Sequence, residues 1–484
     1  MKFSVYNWLY ILLLVAFIQS GCLKDNGNKA VTPINVLTIT DTTAVAAVLQ
    51  FDTLTVKPDI KQALPVDDGG LIFEWSIHQN DSEDAYPVYI LDSTRYLHKS
   101  ISVKPGIYRL IYKVTVKASG VTYFKFFDLK VINRFSEGWL VLEDIGGKTD
   151  LTVILKTDTL FHHVFTSLNK ENTLDNPVQV ATTNTYGDKQ LFLFGANNAI
   201  ELDYTQLTKL TDYTRWFWET PAVFRPQRFR QISTSVRFII NDGRLTARFS
   251  GGFPGEVKYL NTLPFPGGKA DDYYFSSYAG VGPQPYTGEK TPYTAFFFDT
   301  KTKGFVYLSG ASLIPSLAAF NAPTGSSLFD MRNIGLDLLA MDQGNASYLN
   351  NAIFKDGSNY YLYQIDANVS DPAVNKKLIT GDAPQLAAFT RMTSSKKLQQ
   401  IYFLSNGNIH LYDILSGKAR VIQAIAAGEE VTYMQCTGDE VMVGTWNGTE
   451  GKLYRYTISP LGEFGGVKVF TGFGKIVSMN YKAA

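Results

Sequence analysis

The sequence predicts an all-β protein: an N-terminal β-sandwich over residues 35–134, then a seven-bladed β-propeller over residues 135–484 that its own C-terminal strand closes. Three observations predict it. The chain has 484 residues, with 32 Phe, 28 Tyr and 6 Trp against 5 His, a composition that suits β structure with more than one core. Short alternating runs with turn signals between them fill residues 35–134. After that, one strand–turn–strand unit recurs seven times.

The N-terminus comes first. Lys2 precedes an apolar stretch, Trp8 to Ile18, too short to span a bilayer, which takes about 20 residues. It suits the core of a signal peptide over residues 1–21. Gln19, Ser20 and Gly21 lead into Cys22, and the two small residues before the cysteine resemble the cleavage motif of bacterial lipoproteins, with Gln19 where Leu is usual. The resemblance implies a mature chain beginning at a lipidated Cys22, anchored stably because each buried methylene adds about 0.8 kcal/mol. The polar run over 22–34 reads as a tether. Lys24 and Asp25 just after the cysteine resemble surface-displayed lipoproteins of Bacteroidota.

Charge and cysteine counts bound the rest. Lys+Arg is 45 against Asp+Glu 44, so there is no basic footprint for nucleic acid. The composition excludes a disordered, collagen-like or multi-span membrane chain. The two cysteines are Cys22 and Cys436; with Cys22 lipidated no intramolecular disulfide forms, and Cys436, in an alternating VTYMQC run, reads as a small buried hydrophobe.

In residues 35–134, Phe73-x-Trp75 reads as an inward pair on a middle strand, and Pro105-Gly106-x-Tyr108 as a turn into a late strand with Tyr108 as a corner tyrosine. The arrangement resembles polycystic-kidney-disease-like (PKD-like) and immunoglobulin-like modules, which implies a spacer or adhesion element.

In residues 135–484 the hairpin turns fall near 146, 197, 242, 304, 357, 406 and 448, spaced as propeller blades are, about 40–60 residues apart. Asp242-Gly243, Asp356-Gly357, Asn406-Gly407 and Asn447-Gly448 suit tight turns that need positive φ. Inner strands are clearest at Gln385–Met392 and Glu430–Thr437. The first hairpin follows the linker Asn133–Gly138 with no room for an inner strand, and Lys475–Tyr481 at the chain's end resembles the missing one. Closure of this kind removes free sheet edges.

Motifs for chemistry are sparse. The sequence contains no H-E-x-x-H, G-x-S-x-G, phosphate-cradling glycine loop or EF-hand pattern. Adjacent His162 and His163 would face opposite sides of a strand and cannot easily share a metal; His410 reads as an outer-strand residue. The pairs Asp67-Asp68 and Asp271-Asp272 read as solvated turns, with calcium binding the alternative. The most suggestive features are aromatic loops: Arg215, Trp216, Phe217 and Trp218 in a long insertion between blades 2 and 3, and Tyr273, Tyr274 and Tyr278 in the connection to blade 4. Such residues stack on sugars, clasp peptides or anchor protein interfaces, and equally well pack one blade on the next. Arg225, Arg228 and Arg230 add a basic cluster suited to ligand carboxylates or to neighbouring blades.

Taken together, lipobox cysteine, tether, PKD-like module and divergent propeller resemble the PKD-like family lipoproteins of Bacteroidota. The resemblance implies a surface-exposed outer-membrane lipoprotein without enzymatic activity, cofactor or metal. It would serve as a binding or scaffolding accessory of a SusC/SusD-like TonB-dependent complex that takes up oligopeptide or glycan. A glycan- or peptide-degrading hydrolase or lyase on the propeller is the alternative. Convergent carboxylates or histidines at the axis would favour the enzyme.

Overall fold

The structure is a computed structural model that describes residues 33–40, 47–79, 88–171, 174–185, 188–232, 236–249, 258–268, 272–282, 293–309, 315–346 and 348–483. Cys22, the signal peptide, most of the tether and Asp271 lie outside the described residues. The chain divides into two compact units. The first comprises residues up to Val48 with Asp52–Ile101 and Gly106–Val131; the second comprises Leu49–Phe51, Ser102–Pro105 and Ile132–Ala484.

The first unit is a β-sandwich. One sheet runs in the order Ala47–Leu49, Thr122–Ile132, Gly106–Val116, Leu71–Gln79, Tyr89–Asp92. Two shorter pairs complete the unit: Leu37–Thr40 with Asp59–Gln62, and Thr53–Val56 with Leu97–Ser100. In Gly106–Val116 every second residue from Tyr108 to Val116 is buried, the period that a strand with one face on a core requires. Trp75 is fully buried and stacks on Tyr112 at 4.1 Å. Its indole N–H donates to the Thr94 carbonyl at 3.0 Å, and the Tyr112 hydroxyl donates to the Arg95 carbonyl at 3.0 Å. Each large ring thus buries its body and satisfies its polar tip. Tyr108 sits two residues into the strand with its ring in the core, as expected of a core residue, and Tyr112 adds a tie to the Thr94–Tyr96 turn.

The second unit is the seven-bladed propeller. The middle hairpins are Gly138–Ile145/Lys148–Leu155, Asp188–Gly195/Ala199–Leu202, Val236–Asn241/Arg244–Phe249, Ala295–Asp299/Gly304–Ser309, Leu349–Asp356/Asn359–Asp366, Gln400–Ser405/Asn408–Asp413 and Glu440–Trp446/Gly451–Ile458. All seven turns fall where the sequence places them. Asp242-Gly243 and Asn406-Gly407 take positive φ at both residues, which matches the turn's twist to that of its strands. The inner strands of blades 2 to 7 are Pro177–Thr185, Pro226–Gln231, Phe275–Val281, Asp337–Gln343, Phe389–Ser394 and Glu430–Thr437. Blade 6 starts later than its sequence suggests, because Pro384–Ala388 form a 3-10 turn led by the proline.

Blade 1 receives its inner strand from the far end of the chain. Lys475–Lys482 pairs antiparallel with Gly138–Ile145, setting Trp139 opposite Tyr481 and Leu142 opposite Ser478. The seam is reinforced at both ends. The Gly474 N–H donates to Glu143 at 2.6 Å, and the Lys482 ammonium donates to the carbonyls of Phe135 and Ser136 at 2.7 and 2.8 Å. Between blades lie apolar clusters, such as Phe298, Phe305, Phe354 and Tyr363 between blades 4 and 5, which account for much of the aromatic content. Cys436 is buried in one of them.

Candidate functional site

The seven aromatic-loop residues separate. Tyr213–Arg215 form a 3-10 turn capped by Asp212, and the chain then bridges Phe217 to Tyr259. Trp216 and Phe217 are 7% and 4% exposed. The Trp216 ring meets Phe192 and Phe194 edge-on at 5.0 and 5.8 Å. Tyr273 is fully buried, its hydroxyl donating to the Leu263 carbonyl at 2.8 Å. Candidates for ligand contact on the one reading and for blade packing on the other, these three are buried among core residues. The reason is physical: Trp216 and Phe217 complete the apolar cluster of Phe192, Phe194 and Phe229 between blades 2 and 3, and Tyr273 completes that of Phe238, Phe275 and Phe297 between blades 3 and 4, so burial of each large ring stabilises the packing of one blade on the next. Trp218, by contrast, is 65% exposed, with the Lys258 ammonium 5.6 Å from its ring centre. Arg215 is also exposed. Tyr274 lies across the turn at Gly243, where no side chain competes for the space, and Arg244 sits over the rings of Tyr273 and Tyr274. Of the seven, only Tyr278 belongs to an inner strand.

The inner strands share a device. Each shifts register with its neighbour near its start, between 177/179, 226/228, 275/279, 338/340, 389/391 and 431/433, and between 476 and 478 of the closing strand. Such bulges re-aim the side chains around them. The residues that follow the shift are Gln179, Arg228, Ala279, Ala340, Arg391, Tyr433 and, in the closing strand, Ser478.

Three of these side chains tie a blade to the next. Gln179 exchanges two hydrogen bonds with the Phe229 backbone, at 3.0 and 2.8 Å; the Arg391 Nε donates to the Val431 carbonyl at 3.2 Å; and the Ser478 hydroxyl accepts from the Val180 N–H at 3.3 Å. Arg228 makes no such bond. The tie from blade 3 to blade 4 comes from Arg230, whose Nη1 donates to the Ala279 carbonyl at 3.4 Å.

The charges at this level are unequal. The acids on the inner strands of the propeller are Asp337, Asp342 and Glu430, and a lysine accompanies each one. Asp342 pairs with Lys396 at 3.0 Å and accepts from the Thr393 hydroxyl and Ser394 N–H; Glu430 lies 3.7 Å from Lys475, and Asp337 lies 2.9 Å from Lys303. Among the described residues, Arg228, Arg230 and Arg391 make no ion pair with a carboxylate. Burial pushes the Arg230 guanidinium down to about 10, and the Arg228 charge pushes it the same way. Burial lowers Arg391 against the pull of Glu430. Burial also raises the Tyr278 and Tyr433 hydroxyls, while nearby arginines, Arg228 in both cases, favour their ionised forms. Arg228 is thus within electrostatic reach of Arg230, Tyr278 and Tyr433, and Arg391 of Tyr278. A cavity of about 710 Å³ opens between blades 6 and 7, lined by Phe389, Thr390, Arg391, Glu429, Glu430 and Val431 among others.

Sequence reading singled out Tyr278, Arg228 and Arg230 but missed Arg391, Tyr433 and Asp342. A signal existed: Pro226-x-Arg228, Phe389-x-Arg391 and Val431-x-Tyr433 each span the register shift of an inner strand.

The histidines are structural in their bonding. His162 shares a hydrogen bond with the Thr152 hydroxyl at 2.9 Å, and His163 with the Asp150 carboxylate at 2.8 Å. His410 is buried against Phe403. No group of three metal-ligating side chains occurs among the described residues.

Fold and axial ring together define a two-unit protein, a PKD-like module followed by a closed seven-bladed propeller. A PKD-like family model matches residues 22–177. No curated protein matches the sequence. Among solved structures, a quinoprotein alcohol dehydrogenase-like protein from Bacteroides thetaiotaomicron is similar over 91% of this chain and 97% of its own, at 11% identity and a TM-score of 0.52. The Dos1 propeller is similar over 69% and 85%, at 11% identity and a TM-score of 0.41. A DUF4784 family protein from Bacteroides caccae is similar over 93% and 100%, at 9% identity and a TM-score of 0.31. At such identities the first of these likenesses speaks for the fold alone.

Proposed function

We propose that the chain is a surface-exposed, lipid-anchored outer-membrane protein that binds a nutrient, glycan or oligopeptide, at the propeller axis and hands it to a SusC/SusD-like TonB-dependent complex. The observation that supports the binding half is the make-up of the inner strands: Arg228, Arg230, Tyr278, Arg391 and Tyr433 stand on them, while Asp337, Asp342 and Glu430 are each matched by a lysine. A hydrolase works with a proton donor and acceptor poised at the scissile bond, in glycosidases two carboxyl groups; guanidinium and phenol groups are tools of recognition. The anchor half is supported by the Ser20-Gly21-Cys22 motif. Affinity capture of the native protein from outer membranes should recover a TonB-dependent transporter and its lid lipoprotein; recovery of neither would sink the uptake reading. In the same membranes a Cys22→Ala chain should move to the soluble fraction, and its retention would refute the anchor.

A further inference from the structure

The first unit carries an apolar strip where the chain enters it. Pro33, Ile34 and Val36 are exposed, and so are the four consecutive residues Ala63, Leu64, Pro65 and Val66. The two segments lie side by side: the Ala63 N–H donates to the Val36 carbonyl at 3.0 Å, just beyond the pairing of Leu37 with Gln62. Between them Asn35 is buried, and its side chain acts as a clasp. Its Oδ1 accepts from the Leu64 N–H at 2.8 Å, and its Nδ2 donates to Gln62 at 2.9 Å. Gln62 in turn bonds both backbone groups of Val66, at 2.9 and 3.2 Å, and the Tyr123 hydroxyl donates to the Asn35 carbonyl at 3.0 Å. Asn35, Gln62 and Tyr123 thus hold the strip in place. A fold gains nothing by pinning a run of apolar side chains in water, and four in a row are kept outward where something covers them.

We propose that this strip rests on the bilayer interface that holds the lipid anchor, so that the first unit is docked on the membrane as well as tethered to it. This rests on the Cys22 anchor reading above and deepens it by naming the surface that the anchored chain touches. The place of the strip argues for lipid. Pro33 is eleven residues from Cys22, a reach of at most about 40 Å, so the strip stays within that distance of the headgroups. Confinement of this kind raises the effective concentration of the surface and makes a weak affinity sufficient. Aliphatic side chains and prolines suit shallow burial at the boundary between headgroups and acyl chains. A weak affinity also agrees with release of a Cys22→Ala chain, which keeps the strip but loses the anchor. A second copy of the chain fits less well, because a stable interface takes about 20–30 residues a side and the strip has seven.

The test uses the whole lipidated protein, purified from outer membranes and inserted into the outer leaflet of phosphatidylcholine vesicles. A fluorescent label is placed on a cysteine introduced by Val36→Cys, Leu64→Cys or Ile107→Cys; Cys436 is buried and stays unlabelled. Ile107 is the control. It is 51% exposed and stands seven residues along its strand from Val114, the partner of Tyr123, a distance of about 23 Å. Iodide in the water should quench the labels at 36 and 64 about 10-fold less than the label at 107, as a docked state favoured by about 1.4 kcal/mol gives. Lipids with a nitroxide on the acyl chain should quench the first two labels and spare the third. Leu64→Ser with Val66→Ser should return the label at 36 to the level of that at 107, and thermal melting within a few degrees of the parent checks that this exposed pair leaves the fold intact. Equal iodide quenching at all three positions, with the protein still on the vesicles, overturns the inference and leaves the anchor reading standing. Protection that survives the double serine substitution also overturns it, since the dye and not the strip would then be inserting. Protection that disappears when the chains are diluted among excess vesicles overturns it in favour of contact between copies. If the unlabelled parent does not float with the vesicles, the anchor reading fails and the inference falls with it.

Discussion

Glu143→Gln offers a sharp test of how the propeller ring is closed. Glu143 sits on Gly138–Ile145, opposite Asp150 on one side and Ile476 of the closing strand on the other. It is 2% exposed, and its carboxyl accepts from the Gly474 N–H just before the closing strand begins. Burial raises its pKa from an ordinary 4.5 to about 7, the Asp150 charge adds to the rise, and hydrogen bonds from Thr152 and Gly474 oppose it. Below pH 4.5 the carboxyl is protonated whether the chain is folded or not, and the folded state carries no penalty. As pH rises from 4.5 towards 7 the unfolded chain ionises first, so stability falls, and the loss is complete above 7. At 1.36 kcal/mol per pH unit the loss is about 3 kcal/mol. Glutamine keeps an acceptor for Gly474 but has no proton to lose. In urea unfolding, Glu143→Gln should therefore match the parent near pH 4.5 and exceed it by about 3 kcal/mol at pH 8, with an unchanged m value. A stability difference independent of pH would refute the reasoning, since it would mean that the carboxyl ionises as readily in the ring as in the unfolded chain.

Two further substitutions test other joints. Asp158 reaches from blade 1 to blade 7, where it meets Arg455 in two hydrogen bonds at 2.8 and 2.9 Å and Lys468 at 2.6 Å. The Arg455 bonds hold its carboxyl below the usual 3.8, so the clamp is present above 3.8 and lost as pH falls through the lowered value. Asp158→Asn, which tolerates the positive φ of 64°, should cost about 1–2 kcal/mol at pH 7 in urea unfolding, a cost that shrinks as pH falls below 3.8. Trp216→Ala should cost about 3–5 kcal/mol, as loss of a buried ring does, whereas Trp218→Ala should stay within about 0.5 kcal/mol; equal costs in thermal melting would contradict their opposite burial.

What could be read from the sequence was what is decided locally. A two-residue hairpin demands positive φ, so Asp242-Gly243 and Asn406-Gly407 mark their blades without reference to the rest of the chain, and together with the longer turns of blades 2, 4 and 7 the hairpins give the ring its count. The closing strand was legible for a related reason: the first hairpin lacks an inner partner, and Lys475–Tyr481 has no hairpin of its own. Burial is not local. Trp216 and Tyr273 lie in segments that look like open loops, and only the rings that neighbouring blades bring to them, Phe192 and Phe194 for the one and Phe275 for the other, explain why they are covered.

The axial site was illegible for a different reason, and that reason bears on how such a site arises. Its residues come from five blades, from Arg228 to Tyr433, and each is unremarkable within its own strand. They meet only in the closed ring, where each inner strand shifts register with its neighbour near its start. The residue after the shift is Gln179, Arg391 or Ser478 where a side chain ties one blade to the next, Ala279 or Ala340 in two blades, and Arg228 or Tyr433 in the remaining two. A position that holds an amide, a hydroxyl, a methyl or a guanidinium in different blades makes no uniform demand on residue type, so a single strand's sequence does not announce which of its side chains the ring will use.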